Sequence, residues 1–258
     1  MGKILETKNL CKYFGGVKAV NEVNIQIEEK SVFGIIGPNG AGKTTFFNLL
    51  SGMLDSTSGK IIYKNEDITK FKPQKVTQRG ISRTFQNIKL FEHMTVHENV
   101  KIGFHTRIKT NFIDAVFKTN QFKNDEAKVN ELGLKLLERV NMKDKKNDLA
   151  KNLSYGDKRR LEIARALAAD PDMLLVDEPA AGMNANETKS VIDLLKKLND
   201  EGITIVVIEH DMSVIMSICD EIAVLNNGIK IAQDIPGKIR KDKKVIDAYL
   251  GSHGENTA

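Results

Sequence analysis

The chain has 258 residues, 41% apolar and 28% charged, which is room for a sizeable α/β core and excludes a disordered chain. Basic residues exceed acidic ones by 39 − 34 = 5, a mild excess with a pI near 9.0, and the basic knots at 143–146 and 240–244 read as solvated faces. Two cysteines about two hundred residues apart, Cys11 and Cys219, exclude a disulfide scaffold and a zinc module and fit a reducing cytoplasm.

In chain order, the start MGKILETKNL carries charges where a signal peptide needs an apolar stretch, and it lacks the Ser or Thr at position 6 that myristoylation would want. No apolar run approaches the roughly 18 residues needed to span a bilayer. The expectation is a soluble intracellular protein that reaches a membrane only through a partner. Residues 4–29 alternate apolar and polar in places, especially at Val23-Asn24-Ile25-Gln26-Ile27, as antiparallel strands do. SVFGIIG (31–37) is apolar without alternation, which predicts a strand covered on both faces, and KTTFFNLLSGML (43–54) has helical spacing. A hairpin is predicted over 60–68. Between about 100 and 150 apolar residues thin out, yet Val129, Leu132, Leu136, Leu137 and Val140 keep a helical period, so the stretch reads as a helical subdomain.

Two more buried-strand patterns follow, MLLVDEP (173–179) and ITIVVIEH (203–210), with a helix predicted over 187–200 between them through Val191, Ile192, Leu195 and Leu198. Strand then helix, repeated, means a parallel α/β core. IAVL-NNG-IKIA (222–232) predicts a hairpin, because Asn and Gly tolerate positive φ. The tail 252–258 is small and polar and is expected to be flexible.

Gly37-Pro38-Asn39-Gly40-Ala41-Gly42-Lys43-Thr44 matches G-x-x-x-x-G-K-[ST] and lies where a strand gives way to a helix. Its glycines let the backbone curl N–H groups around phosphate oxygens, Lys43 would place a cation on the β- and γ-phosphates, and Thr44 would ligate Mg²⁺. Asp177 and Glu178 emerge at the C-terminal end of a buried strand, where open α/β sheets bind ligands. Asp177 suits the Mg²⁺ water shell, and Glu178 suits a base that polarises water.

Residues 153–167, LSYGDKRRLEIARAL, lie between these elements and closely resemble the signature motif of ABC-type ATPases, Leu-Ser-Gly-Gly-Gln followed by a helix. The resemblance covers essentially the whole chain. It implies a single cassette over 1–251: a parallel core sheet and an N-terminal antiparallel β subdomain from about 1–85 and 160–251, with a helical signature subdomain at about 86–159. It further implies that Phe14 stacks on adenine, with Tyr13 as the alternative and Val20 close by. The P-loop through Thr45 would bind the triphosphate. Gln86 would sense Mg²⁺ and γ-phosphate, and His210 would act as a switch. Ser154, Tyr155 and Gly156 would cap the nucleotide of a second subunit, a paralogue or another copy of this chain.

SRTFQNIKLFEHMTVHENV (82–100), DEPAAGMN (177–184) and AYLG (248–251) narrow the likeness to the larger ATPase subunit of branched-chain amino-acid importers; urea and amide importers use similar subunits. That reading implies ATP and Mg²⁺ as cofactors and permease subunits as partners on the cytoplasmic side of a membrane. It brings in a periplasmic or extracellular binding protein indirectly. An ABC ATPase acting on nucleic acid or the ribosome is weakly favoured by the pI, yet paired cassettes and long coiled coils are both missing, so no nucleic acid is expected. A regulatory module without turnover is opposed by the intact Lys43, Asp177 and Glu178. Asp157 replaces the usual signature Gln, with Lys158, Arg159 and Arg160 as expected compensation, and Asn184 replaces the usual D-loop Asp.

Overall fold

The computed structural model describes residues 2–86, 88–107 and 120–251. From the N-terminus come strands β1 (Lys3–Phe14), β2 (Val17–Val23), β3 (Gln26–Glu28) and β4 (Val32–Ile36), then helix α1 (Lys43–Leu50). Next are β5 (Ser58–Tyr63), β6 (Glu66–Asp67), α2 (Pro73–Gln78), β7 (Ile81–Arg83), α3 (Val96–Gly103) and α4 (Asn120–Arg139). The remainder is α5 (Tyr155–Leu167), β8 (Met173–Asp177), α6 (Ala185–Asp200), β9 (Thr204–Ile208), α7 (Met212–Ile218), the pair β10 (Glu221–Asn226) and β11 (Ile229–Asp234), α8 (Pro236–Ile239) and α9 (Lys243–Gly251).

The antiparallel sheet runs β2-β1-β5-β6 with β3 also on β1, and the second sheet runs β11-β10-β4-β9-β8-β7, parallel except for β11. Every residue of β4, β8 and β9 is buried, as the unalternating apolar runs required. Successive side chains on these strands feed two different cores. Ile36, Leu174, Val176, Ile205 and Val207 pack with α5, α6 and α7, whereas Phe33, Ile35, Leu175, Val206 and Ile208 pack with α1 and the antiparallel sheet. At about 1.5–3 kcal/mol per fully buried aliphatic side chain, a one-residue slip of β8 would misplace its whole apolar set.

The predicted hairpins close as expected. Asn227 (φ +46) and Gly228 (φ +78) turn β10 into β11, and Lys64 (φ +47) and Asn65 (φ +66) turn β5 into β6. Val23, Ile25 and Ile27 are buried while Asn24 and Gln26 are exposed. The predicted helix at 43–54 is shorter, because Ser51 Oγ bonds back to the Phe47 carbonyl and Gly52 takes φ +70. The expected tail at 252–258 lies outside the described residues, as does part of the 100–150 stretch; just ahead of that stretch α3 begins with a capping box from Thr95 and Glu98. Among the described residues no helix is long and apolar enough to cross a membrane.

Candidate functional site

The P-loop is shaped by two close backbone approaches. Gly37 has φ +151, and a Cβ there would sit 2.1 Å from the Leu225 carbonyl oxygen; Gly42 has φ +97, and its Cβ would sit 2.2 Å from that of Ala19. Only glycine fits either position. Gly42 caps α1 without a side-chain acceptor, and the first turn carries no acid. The orphan N–H groups and positive end of α1 are therefore open to an anion. Lys43 Nζ reaches back to donate to the Gly37 and Pro38 carbonyls at 2.7 and 2.9 Å. Burial lowers its pKa, against the pull of Glu178 and Asp177. A cavity of about 530 Å³ is lined by the Asn39–Thr45 stretch, Gln86 and Glu178, within the range of small-molecule and nucleotide sites.

The acidic side of this cavity is built from side chains. Asp177 is buried and its Oδ2 accepts from Arg83 Nη2 at 2.9 Å; burial pushes its carboxyl up, opposed by that guanidinium. Glu178 takes φ +44, rare for a side-chain-bearing residue and costing on the order of 1–3 kcal/mol, and its amide donates to the Ile208 carbonyl at 2.9 Å. This turn aims its carboxylate at Gln86, whose Nε2 donates to Oε2 at 3.1 Å, with His210 Nδ1 at 3.8 Å and largely exposed. Glu209 is buried. It accepts from the Ala180 and His210 amides at 2.8 and 3.1 Å, so one carboxylate ties the strand end bearing His210 to the loop after Glu178.

The donor set fits a hard divalent cation. The Thr44 hydroxyl is on an exposed residue and Asp177 brings a carboxylate, the sparse protein contribution that Mg²⁺ takes when phosphates and waters complete its shell. Among the described residues no cluster of three His, Cys, Asp or Glu offers a metal cage, and a nucleotide-borne cation needs none.

The signature residues lie elsewhere. Ser154 caps α5 by accepting from the Asp157 amide at 3.2 Å, and Ser154 and Tyr155 are exposed. The Gly156 amide donates to Glu187 Oε1 at 3.3 Å. None of the three lines the P-loop cavity. Phe14 is also outside that lining, 48% exposed, with Lys12 Nζ 5.0 Å from its ring centroid. Val20 requires a correction. Its side chain is fully buried in the core beneath the antiparallel sheet, and Val17, Lys18 and Ala19 are the β2 residues that face the cavity. The compensation at Asp157 is met in part by the expected residues, through Arg160. Lys145 and Arg160 pair with it, whereas Arg159 turns inward to Glu162. Asn184 caps α6, accepting from the Asn186 and Glu187 amides at 3.0 Å, a role that needs no charge.

Residues 20–181 match the family described as ABC transporter. The chain belongs to that family. This ABC ATP-binding subunit is 45% identical over 96% of its length (98% of the relative) to the high-affinity branched-chain amino acid transport ATP-binding protein BraF of Pseudomonas aeruginosa. Its fold matches a solved ATP-binding cassette of an ABC transporter in the ADP conformation (TM-score 0.86, 33% identity, 97% of this chain and 100% of that one). It also matches a dimeric cassette in a post-hydrolysis state bound to ADP and Pi (TM-score 0.75, 26% identity, 90% of this chain and 99% of that one). Sequence reasoning missed Arg83, Glu209 and the cavity-lining Lys18 and Asn227. Arg83 stands three residues before Gln86 and Glu209 directly before His210, so adjacency to those residues was the available signal.

Proposed function

We propose that this subunit hydrolyses ATP to drive import of branched-chain amino acids, with half of each reaction centre supplied by a second subunit. The observation that carries the reading is the Glu178 carboxylate, held by Gln86 beside His210 at the edge of the cavity that the P-loop lines. The P-loop amides and Lys43 hold the triphosphate, Thr44 and Asp177 hold Mg²⁺, and Glu178 orients and deprotonates the attacking water. When bound, the cation neutralises charge on the β- and γ-phosphates. Gln86 and His210 read whether the γ-phosphate is present, and Phe14 stacks on the base.

Ser154, Tyr155 and Gly156 serve a partner's nucleotide, because they lie off this chain's own cavity with the Ser154 hydroxyl at a helix start. The helical part at about 86–159 carries these residues, and where it meets the rest of the chain Phe85, Lys89, Phe91, Ile102 and Arg165 border a cavity of about 370 Å³, where a permease segment would dock at the cytoplasmic side of the membrane. The name of BraF supports the substrate class. A binding protein outside the membrane completes the scheme.

Mixing two dead variants tests the composite centre. Lys43→Ala and Ser154→Ala chains should each lose turnover, and an equimolar mixture should regain it, since one of the two mixed sites then keeps both halves. A Ser154→Ala chain with unimpaired turnover, or a mixture as inactive as its parts, defeats the reading.

A further inference from the structure

Arg159 and Glu162 stand one turn apart on α5 with side chains 0% and 2% exposed. Arg159 Nη1 donates to Glu162 Oε2 at 2.7 Å and to the Phe85 carbonyl at 2.8 Å. Nη2 donates to two further carbonyls, those of Gln86 and Glu178, each at 3.3 Å. Glu162 Oε1 accepts from the Phe85 amide at 3.0 Å. One buried guanidinium nitrogen thus lies behind the two residues whose side chains grip each other in front, Gln86 and Glu178. It is carried by the helix that Ser154 caps, five residues further along.

A buried ion pair is weak support for stability, because well-packed apolar side chains of similar volume often serve as well. Its use here is geometric. Glu178 holds a left-handed backbone that its surroundings must impose, and Arg159 contacts the carbonyl of that residue. The planar fork offers several donors in fixed directions, which a lysine ammonium does not.

We propose that Arg159 is a positioning residue: it ties α5, whose start carries Ser154 and Gly156, to the Gln86–Glu178 pair of the same chain, so that engagement of the signature by a partner's nucleotide sets the placement of this chain's own base. The inference rests on the composite-site reading above. It predicts communication between the two nucleotides of a dimer through a rigid element rather than through the P-loop.

Two measurements test it. In the nucleotide-free chain, Arg159→Lys should raise hydrogen exchange at the Phe85 and Ala181 amides by about tenfold or more while leaving the amides of 43–50 unchanged. Unchanged protection at 85 and 181, or an equal loss at 43–50, overturns the proposal. That readout needs no turnover, so an inactive wild-type chain would sink the hydrolysis reading and leave this result standing. In turnover assays, the volume-matched pair Arg159→Met with Glu162→Leu should hold ATP affinity within about twofold, lower kcat by about tenfold or more, and flatten the cooperativity in ATP. Wild-type kcat and cooperativity in Arg159→Lys or in the double variant overturn it.

Discussion

The two ends of the nucleotide cavity are built by opposite means. At the P-loop end the backbone does the positioning. Gly37 and Gly42 lie against neighbouring carbonyls, the Gly228 amide donates to the Ala41 carbonyl at 3.1 Å, and α1 offers uncapped N–H groups. At the other end, side chains position side chains: Gln86 and His210 face Glu178, Glu209 ties two loops, and Arg159 holds two carbonyls from behind. A backbone cradle suits a constant task, which is holding phosphate. A cluster of side chains on separate elements can be rearranged, which suits a site whose competence depends on a partner.

Substitutions should break the two ends differently. The largest effect is expected at Glu178→Gln, which keeps shape and the Gln86 contact but removes the base; phosphate release should fall about 10²- to 10⁴-fold while nucleotide binding persists. Near-normal release would take Glu178 out of that role. Gly42→Ala should do the reverse and remove binding itself. A methyl placed 2.2 Å from a backbone oxygen at φ +97 forces the loop open, with a stability loss of about 2–4 kcal/mol in denaturant unfolding and loss of measurable ATP binding. Tight ATP binding by Gly42→Ala would mean that the loop is pliable, and the contrast between the ends would dissolve.

The same contrast decides what could be read in the sequence. The P-loop end was legible because one contiguous motif encodes it, with each residue type following from what phosphate needs. Likewise Asp177 and Glu178 follow from a buried strand ending in carboxylates, and the strands themselves from apolar runs that the structure buries on both faces. Val20 failed for a reason of register. Its position on β2 sends the side chain into the core, while Lys18 and Ala19 reach the cavity, and pairing with β1 is shifted between Leu10 and Lys12 and again between Lys12 and Tyr13, which no alternation rule anticipates. The contacts of Arg83, Arg159 and Glu209 were illegible for another reason: their partners lie 94, 74 and 29 residues away along the chain. Periodicity reports which face a residue occupies, and it does not report which distant carbonyl waits there. The neutralisation of Asp157 by Lys145 belongs to the same class.

A smaller effect bears on the loop that follows Glu178. Asn184→Ala removes the oxygen that accepts from two amides at the start of α6, and should cost about 1 kcal/mol of stability by denaturant unfolding. Asn184→Asp should keep the cap and hold stability within about 0.5 kcal/mol. A loss in Asp as large as in Ala would show that something other than capping is at work.

The smallest effect separates the ends by pH. Burial pushes the Glu209 carboxyl above the usual glutamate range, partly offset by the Ala180 amide and by His210. Below the unfolded-state pKa, about 4.3, both states hold the proton. As pH rises above it the unfolded chain releases its proton first, so the native state binds more protons and stability falls until the raised native pKa is passed. Glu209→Gln lacks that titration. Its melting temperature should therefore lie furthest below wild type near pH 4 and move closer to wild type towards pH 7, by a degree or two on the order expected for a fraction of a kcal/mol. A gap that stays constant over that range would mean that the contacts from Ala180 and His210 offset burial in full, and that the Glu209 carboxyl is not raised in the folded chain.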